Sequence, residues 1–452
     1  RKVYSIMAHT ELSRTPSGAG NRKTFTISFW VKRGELGAQN ILFQVNGGTN
    51  NTNYMEMSFN GSNQLLLGGY TSNFLTTNRK FRDTSAWYHI VWRVDTTQST
   101  ADDRVRLYVN GIQETSFSTR NNPGQNDDTG ANMAAATKIG QTLDGLLAQY
   151  IMADGQSYAP TTFGSTDSNG VWVPNASPSV TYGTNGFKLD FKLSGTSADA
   201  SGFGADSSGQ TNHFATSNIA TNPNTKDSPA NVFATLNNVA RSSYVTLTEG
   251  NLVVTGNTSA NNGNVDGTIA PSAGKWYWEA KYVTAESGGG GVYPNIGVYP
   301  VKDSRQPKNG GSSAEAGNFA DGASYLPDGR KFRNNTKSSY GDAWSAGDII
   351  QVALDMDNYA VYFGKNGTYQ NSGVPTSGSS KTGNAQAWTA AEGAYVPFGS
   401  GFQNSVLQFN FGNSPFTIAS GNADANGYGN FEYAVPSGYY ALCTKNLAQY
   451  GG

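Results

Sequence analysis

The sharpest constraint in this sequence is an alternation of period two that runs straight into Asn-Gly, and it occurs in both halves. Arg104-Val105-Arg106-Leu107-Tyr108-Val109 alternates and meets Asn110-Gly111. Tyr359-Ala360-Val361-Tyr362-Phe363 is closed by Asn366-Gly367. Successive side chains of a strand point to opposite faces. Both central residues of a type I′ hairpin turn need positive φ, which Asn and Gly supply at low cost. Each hairpin follows a strand ending in aspartate, Asp95 in one half and Asp355 in the other. Thr24 to Val31, Trp87 to Val94 and Lys275 to Tyr282 alternate in the same way. The alternation predicts that Trp30, Trp92, Trp276 and Val361 point inward.

Helical signals are nearly absent. No stretch repeats apolar residues at helical spacing for three turns, and Ala134 to Ala136 is too short a cluster to stand as a helix. Composition agrees. Of 452 residues 55 are glycine and 46 asparagine, which suits many short strands joined by tight turns. The fold class predicted is all-β, with two antiparallel β-sandwiches of jelly-roll type joined by a loop-rich connector. The boundaries expected are 1–164 for the first sandwich, 165–240 for the connector and 241–452 for the second. The connector is rich in small polar residues but carries Phe203, Phe214, Phe233 and Leu236, too many large apolar anchors for a flexible linker.

The same composition excludes several functions. Lys+Arg is 31 and Asp+Glu 32, a net charge of −1, so no nucleic-acid partner is expected. Aromatic residues make up 12%, unlike a charged disordered chain. No run approaches 18 apolar residues, so no membrane insertion by a helix is expected. Cys443 is the single cysteine, lies in an apolar run, and is read as a buried, inert thiol. The sequence opens on Arg1, which fits a processed chain or a piece of a longer one.

The first half resembles the concanavalin A-like, laminin-G-type jelly roll. The resemblance rests on Phe25 to Val31, Trp87 to Val91, Leu107 to Gly111, Lys138-Ile139-Gly140 and Leu143 to Ala148. In that family the last motif continues with an acidic and an apolar residue; here Gln149 and Tyr150 stand instead. The second half resembles the SPRY sandwich through Trp276 to Glu279, Asn295 to Val298, Gly347 to Ile350, Val361 to Phe363 and Val406 to Phe416. The combination is similar to virion proteins of tailed phages of aquatic bacteria. Leu12 to Pro16, Gly20 to Thr24, Asp227 to Asn237 and Ala441 to Thr444 carry that likeness. It implies a fibre, spike or capsid-surface protein on the virion surface, with other virion proteins and a host cell-surface glycan or protein as partners. The expected assembly is a homo-oligomer, a trimer held in part by Phe203, Phe214 and Phe233. Two alternatives stand beside the adhesin: a capsid-decoration protein without a receptor, and a polysaccharide-degrading spike enzyme.

Catalysis is not expected. Glycoside hydrolysis needs two carboxyls about 5 to 9.5 Å apart across one cleft. Glu279 and Glu286 have opposite strand parity, and Asp355 and Asp357 sit at a turn that aspartate favours for its own backbone bonds. The jelly-roll glycosidase pattern Glu-x-Asp-x-x-Glu is missing. His9, His89 and His213 lie far apart and form no zinc motif; His89, mid-strand, is read as packed and hydrogen-bonded. The glycines after Ser287 are followed by no Lys-Ser/Thr, so they are read as a loop. No cofactor is expected apart from calcium, which laminin-G relatives hold at the sandwich rim. Its candidate ligands are Asn126, Asp127 and Asp128, for which a solvated loop is the competing reading. For recognition, the candidates are aromatics set among amides and hydroxyls: Tyr54, Tyr70 and Phe74, and Tyr325, Tyr340 and Trp344.

Overall fold

The computed structural model describes residues 3–6, 11–218, 224–258, 261–287, 293–303, 315–388 and 393–451. His9 and Gly288 to Gly291 lie outside the described residues. The chain divides into two compact units, Arg1–Ala230 and Asn231–Gly452.

Unit 1 is a sandwich of two antiparallel sheets. One sheet runs Ile112–Gln113, Val105–Val109, Trp87–Asp95, Thr24–Arg33, Gly145–Asp154, Val3–Ile6, Asn224–Thr225, with Phe187–Leu189 also pairing on Gly145–Asp154. The other runs Phe117–Arg120, Asn73–Lys80, Gln64–Gly68, Tyr54–Phe59, Asn40–Asn46, Ala136–Ile139, Glu11–Arg14, Ala215–Ser217. Phe25, Ile27, Phe29 and Val31 face Met55, Met57 and Phe59 across one core, as the alternation requires.

Residues 165–230, expected as connector, are built into this unit. Phe187–Leu189, Ala215–Ser217 and Asn224–Thr225 each add a strand to its sheets. Phe187, Phe191, Phe203 and Phe214 lie in its core. Phe233 is 1% exposed and packs inside unit 2. The three phenylalanines assigned to subunit contacts are therefore consumed by the chain's own cores, which corrects that assignment.

One core expectation is also corrected. Trp92, Trp276 and Val361 point inward, but Trp30 does not. It shares a strand with the inward Phe29 and Val31, so alternation places it on the opposite face. It is buried there, 2% exposed, stacked on His89 at 4.6 Å. The segment from 158 to 182 covers part of that outer face, where Phe163, Tyr158 and Tyr182 pack on Val91 and Ile151.

Unit 2 is a second antiparallel sandwich. Its larger sheet runs Val245–Thr248, Val253–Gly256, Val406–Asn410, Lys275–Thr284, Ile349–Asp355, Ala360–Lys365, Thr368–Tyr369. The smaller runs Gly263–Asp266, Tyr395–Gly401, Ile296–Pro300, Ala323–Tyr325, Arg330–Arg333, Thr336–Ser339. The α-helix among the described residues is Thr444–Tyr450; its seven residues are too few for a period to show in sequence.

The two Asn-Gly turns are built alike. Asn110 and Gly111 have φ of 49° and 79°, Asn366 and Gly367 of 47° and 90°. In each, the asparagine Oδ1 accepts from a backbone N–H of the preceding strand: His89 at 2.8 Å, Ile349 at 2.9 Å.

Candidate ligand-binding face

In the Tyr54–Phe59 strand, Met55, Met57 and Phe59 enter the core. Tyr54, Glu56 and Ser58 therefore share the outer face of the sheet. The register sets Glu56 between Gln44 and Gly68 on the neighbouring strands. Glu56 is a hub there. Its Oε2 accepts from the Tyr54 hydroxyl at 2.6 Å, and its Oε1 from Gln39 Nε2 at 2.7 Å and Ser58 Oγ at 2.8 Å. Gln44 Nε2 donates to the Tyr54 hydroxyl at 3.1 Å. Burial first, then the Glu56 carboxylate, pushes the Tyr54 phenol well above its usual range. Tyr54 thus stays protonated as a donor.

Tyr70 completes the face. It is 53% exposed and meets Tyr54 edge-to-face, centroids 5.7 Å apart. Its loop is held by Asn51, whose Oδ1 accepts from Thr71 N at 2.8 Å and whose Nδ2 donates to Ser72 Oγ at 3.3 Å. Gly69 permits this approach, since a Cβ there would lie 2.5 Å from the Asn51 carboxamide oxygen. An exposed aromatic ring beside amides, hydroxyls and a carboxylate can stack on the apolar face of a sugar while its neighbours bond the hydroxyls.

The other four aromatic candidates are core residues. Phe74 is 6% exposed and lies in the core of unit 1. Tyr325, Tyr340 and Trp344, exposed 0%, 6% and 3%, form one aromatic cluster in unit 2. Tyr325 donates to the Asp342 carbonyl, and the Tyr340 hydroxyl accepts from Phe363 N at 3.0 Å. They stand in loops or short strands by sequence, but a thin sandwich fills its ends with large rings, so none offers a face to a ligand. Gln39, Gln44 and Glu56 went unread in the sequence, although the alternation Tyr54-Met55-Glu56-Met57-Ser58 already sets Glu56 beside Tyr54.

The remaining chemistry is structural. Glu279 is fully buried and accepts from the Tyr277 hydroxyl, Asn410 Nδ2 and the backbone N–H groups of Glu432 and Tyr433 at 2.8–3.1 Å. Desolvation nonetheless leaves its pKa raised. Asp355 Oδ1 accepts from the N–H groups of Asp357 and Asn358, closing its own turn. Asp127 Oδ2 is taken by Gly124 N at 2.7 Å, and Asp128 lies 3.7 Å from Arg22. Among the described residues no three of His, Cys, Asp and Glu converge. In the Asn126 to Asp128 loop, Asp127 is thus engaged by the chain's own backbone, and Asp128, 44% exposed, pairs loosely with Arg22. His89 donates or accepts only within the fold: Trp172 Nε1 donates to its Nδ1 at 2.9 Å, which leaves Nε2–H for Ser28 Oγ at 2.9 Å.

Residues 9–155 match the family model of the concanavalin A-like lectin/glucanases superfamily, laminin G type, and residues 275–414 that of the SPRY domain. No curated protein matches the chain in sequence. Among solved structures, the SPRY domain of human HERC1 is 16% identical, covering 40% of this chain and 99% of its own, with a TM-score of 0.30. A second human SPRY domain is 14% identical over 37% of this chain and 94% of its own, TM-score 0.27. A Bacteroides ovatus protein provisionally described as carbohydrate-binding is 14% identical over 49% and 60%, TM-score 0.32. The chain carries a concanavalin A-like, laminin G-type domain followed by a SPRY domain.

Proposed function

We propose that this protein binds glycans without cleaving them, as a fibre or surface adhesin of a tailed-phage virion that contacts the host envelope. The observation that carries the binding reading is the exposed Tyr70 ring set edge-to-face against Tyr54, whose hydroxyl is held by Gln44 and Glu56. The lectin/glucanase-type match over residues 9–155 supports it. The phage setting rests on the sequence strings at 12–24 and 227–237. Single contacts of this kind are weak, and many copies on one particle would multiply them.

The test measures binding of the whole chain to host lipopolysaccharide and capsular polysaccharide. Tyr70→Ala is expected to weaken binding about tenfold, the scale of one lost aromatic stack, with an unchanged melting temperature. Equal binding by Tyr70→Ala, or release of reducing ends by the wild type, would overturn the reading. A density map of the particle tests the setting: distal tips support an adhesin, a capsid lattice a decoration protein.

A further inference from the structure

The smaller sheet of unit 2 ends in a hairpin, Arg330–Arg333 and Thr336–Ser339, that carries the cations Arg330, Lys331, Arg333 and Lys337. The register sorts these four between the two faces of the sheet. Tyr325, in the core of unit 2, stands opposite Lys331, while Lys331 stands opposite Ser338 and Arg333 opposite Thr336. Opposed residues share a face. Lys331, Arg333, Thr336 and Ser338 therefore continue the core-facing side of the sheet past its last core rings. Arg330 and Lys337 take the other side with Phe332. There Arg330 pairs with Asp328, and Lys337 Nζ lies 5.4 Å from the Phe332 ring centroid.

Beyond the core rings the first of these faces is concave. Its four side chains, with Asn334 at the turn, line a cavity of about 290 Å³. Among the described residues, none that lines it is acidic or apolar. Arg333 is exposed, and Lys331 is half-buried with its ammonium 5.6 Å from the Tyr340 ring centroid. Among the described residues neither cation has an ion-pair partner or a hydrogen-bond acceptor. Burial first, then repulsion from Arg333, lowers the pKa of the Lys331 ammonium, and no acid opposes them. The hairpin is also held in place. Asn334 and Asn335 turn with φ of 43° and 57°, and their N–H groups donate to the carbonyls of Phe319 at 3.2 Å and Gly317 at 2.9 Å. A site fixed before its ligand arrives loses little freedom on binding.

These features select a ligand. A hydrocarbon finds no apolar wall, a neutral sugar leaves both charges uncompensated, and a single carboxylate neutralises one. A phosphate monoester carries about −1.5 to −2 charges at pH 7 and three strong acceptor oxygens, which answers both cations. We propose that this hairpin face binds a phosphate group, with Lys331 and Arg333 sharing its charge and the Ser338 hydroxyl donating to one of its oxygens. The volume leaves room for one sugar ring beside the phosphate, being just below the roughly 300–1,000 Å³ of sites for drug-sized ligands. The site belongs to unit 2 and does not rest on the Tyr70 reading.

Isothermal titration calorimetry of the whole chain in phosphate-free buffer tests this with glucose 6-phosphate, inorganic phosphate, glucuronate and glucose. Saturable binding of a phosphate is expected, weakening as salt rises and at least about tenfold tighter than that of glucuronate, with none of glucose. Tighter binding of glucose 6-phosphate than of inorganic phosphate identifies a phosphorylated glycan as the source; equal or weaker binding identifies free phosphate. Arg333→Gln, at an exposed position, is expected to weaken binding about tenfold, the scale of one lost charge-assisted hydrogen bond, and Lys331→Gln likewise. Arg330→Gln removes the same charge from the opposite face and is expected to leave the affinity within about twofold. Tyr70→Ala leaves it unchanged. No binding of either phosphate, equal binding of glucuronate, an unchanged affinity in Arg333→Gln, or an equal loss in Arg330→Gln would overturn the proposal.

Discussion

His89 shows how one buried side chain sets an acid limit on this fold. It is 1% exposed, stacked on Trp30 and bonded to Ser28 and Trp172, and burial pushes its pKa from 6.5 down to about 3. The folded state therefore holds it neutral, while the unfolded chain protonates it below about pH 6.5. The stability it contributes is complete above pH 6.5 and falls as pH drops from there toward 3. At about 1.4 kcal/mol per unit, the loss is roughly 4–5 kcal/mol at most. Urea midpoints from pH 7 to 3.5 should fall steeply for the wild type. His89→Phe should be weaker at pH 7 but flatter across this window; parallel slopes would contradict the assignment. Asparagine tells the same story for the backbone. Most non-glycine residues with positive φ here are asparagine, so its abundance reports a large number of tight turns.

At the scale of elements, the segment after residue 165 matters most. Its strands are three residues or fewer, too short to alternate visibly, so its role cannot be read from period. What anchors it is a buried ion pair. Lys32 Nζ lies 2.7 Å from Asp227 Oδ2, with side-chain exposures of 3% and 0%, and Trp87 Nε1 donates to Asp227 Oδ1 at 3.0 Å. Asp227→Ala would leave the ammonium buried without its carboxylate, at a cost of about 3–5 kcal/mol. Chemical denaturation of that variant checks this, and a loss below about 1 kcal/mol would mean that the pair is not closed in solution. Glu279 has the matching role in unit 2: its carboxylate fixes the backbone at Glu432 and Tyr433 to a central strand.

For the whole molecule, two units with separate cores predict separable folding. Residues 1–230 and 231–452, expressed apart, should each melt cooperatively. Residues 1–164 should not, because they lack Phe187, Phe191, Phe203 and Phe214 from the core and three edge strands from the sheets. A cooperative melt of 1–164 by calorimetry would place the boundary back at the connector. The sequence by itself determined the all-β class, the two sandwiches and both Asn-Gly hairpins, because alternation and φ preference are local properties of the chain. It also put Tyr54 and Tyr70 among the candidates, since rings among amides stand out in any loop-rich stretch. Only the tertiary structure decided which rings reach solvent. Tyr70 is left open while Tyr325, Tyr340 and Trp344 close a core, and Trp30 is buried on the outer side of its sheet rather than in the sandwich core. Burial depends on what the rest of the chain lays over a face. For Tyr158 and Phe163 over Val91, and for Pro174 and Pro229 beside Trp30, that covering comes from residues distant in sequence, whose own pattern says nothing of where they pack.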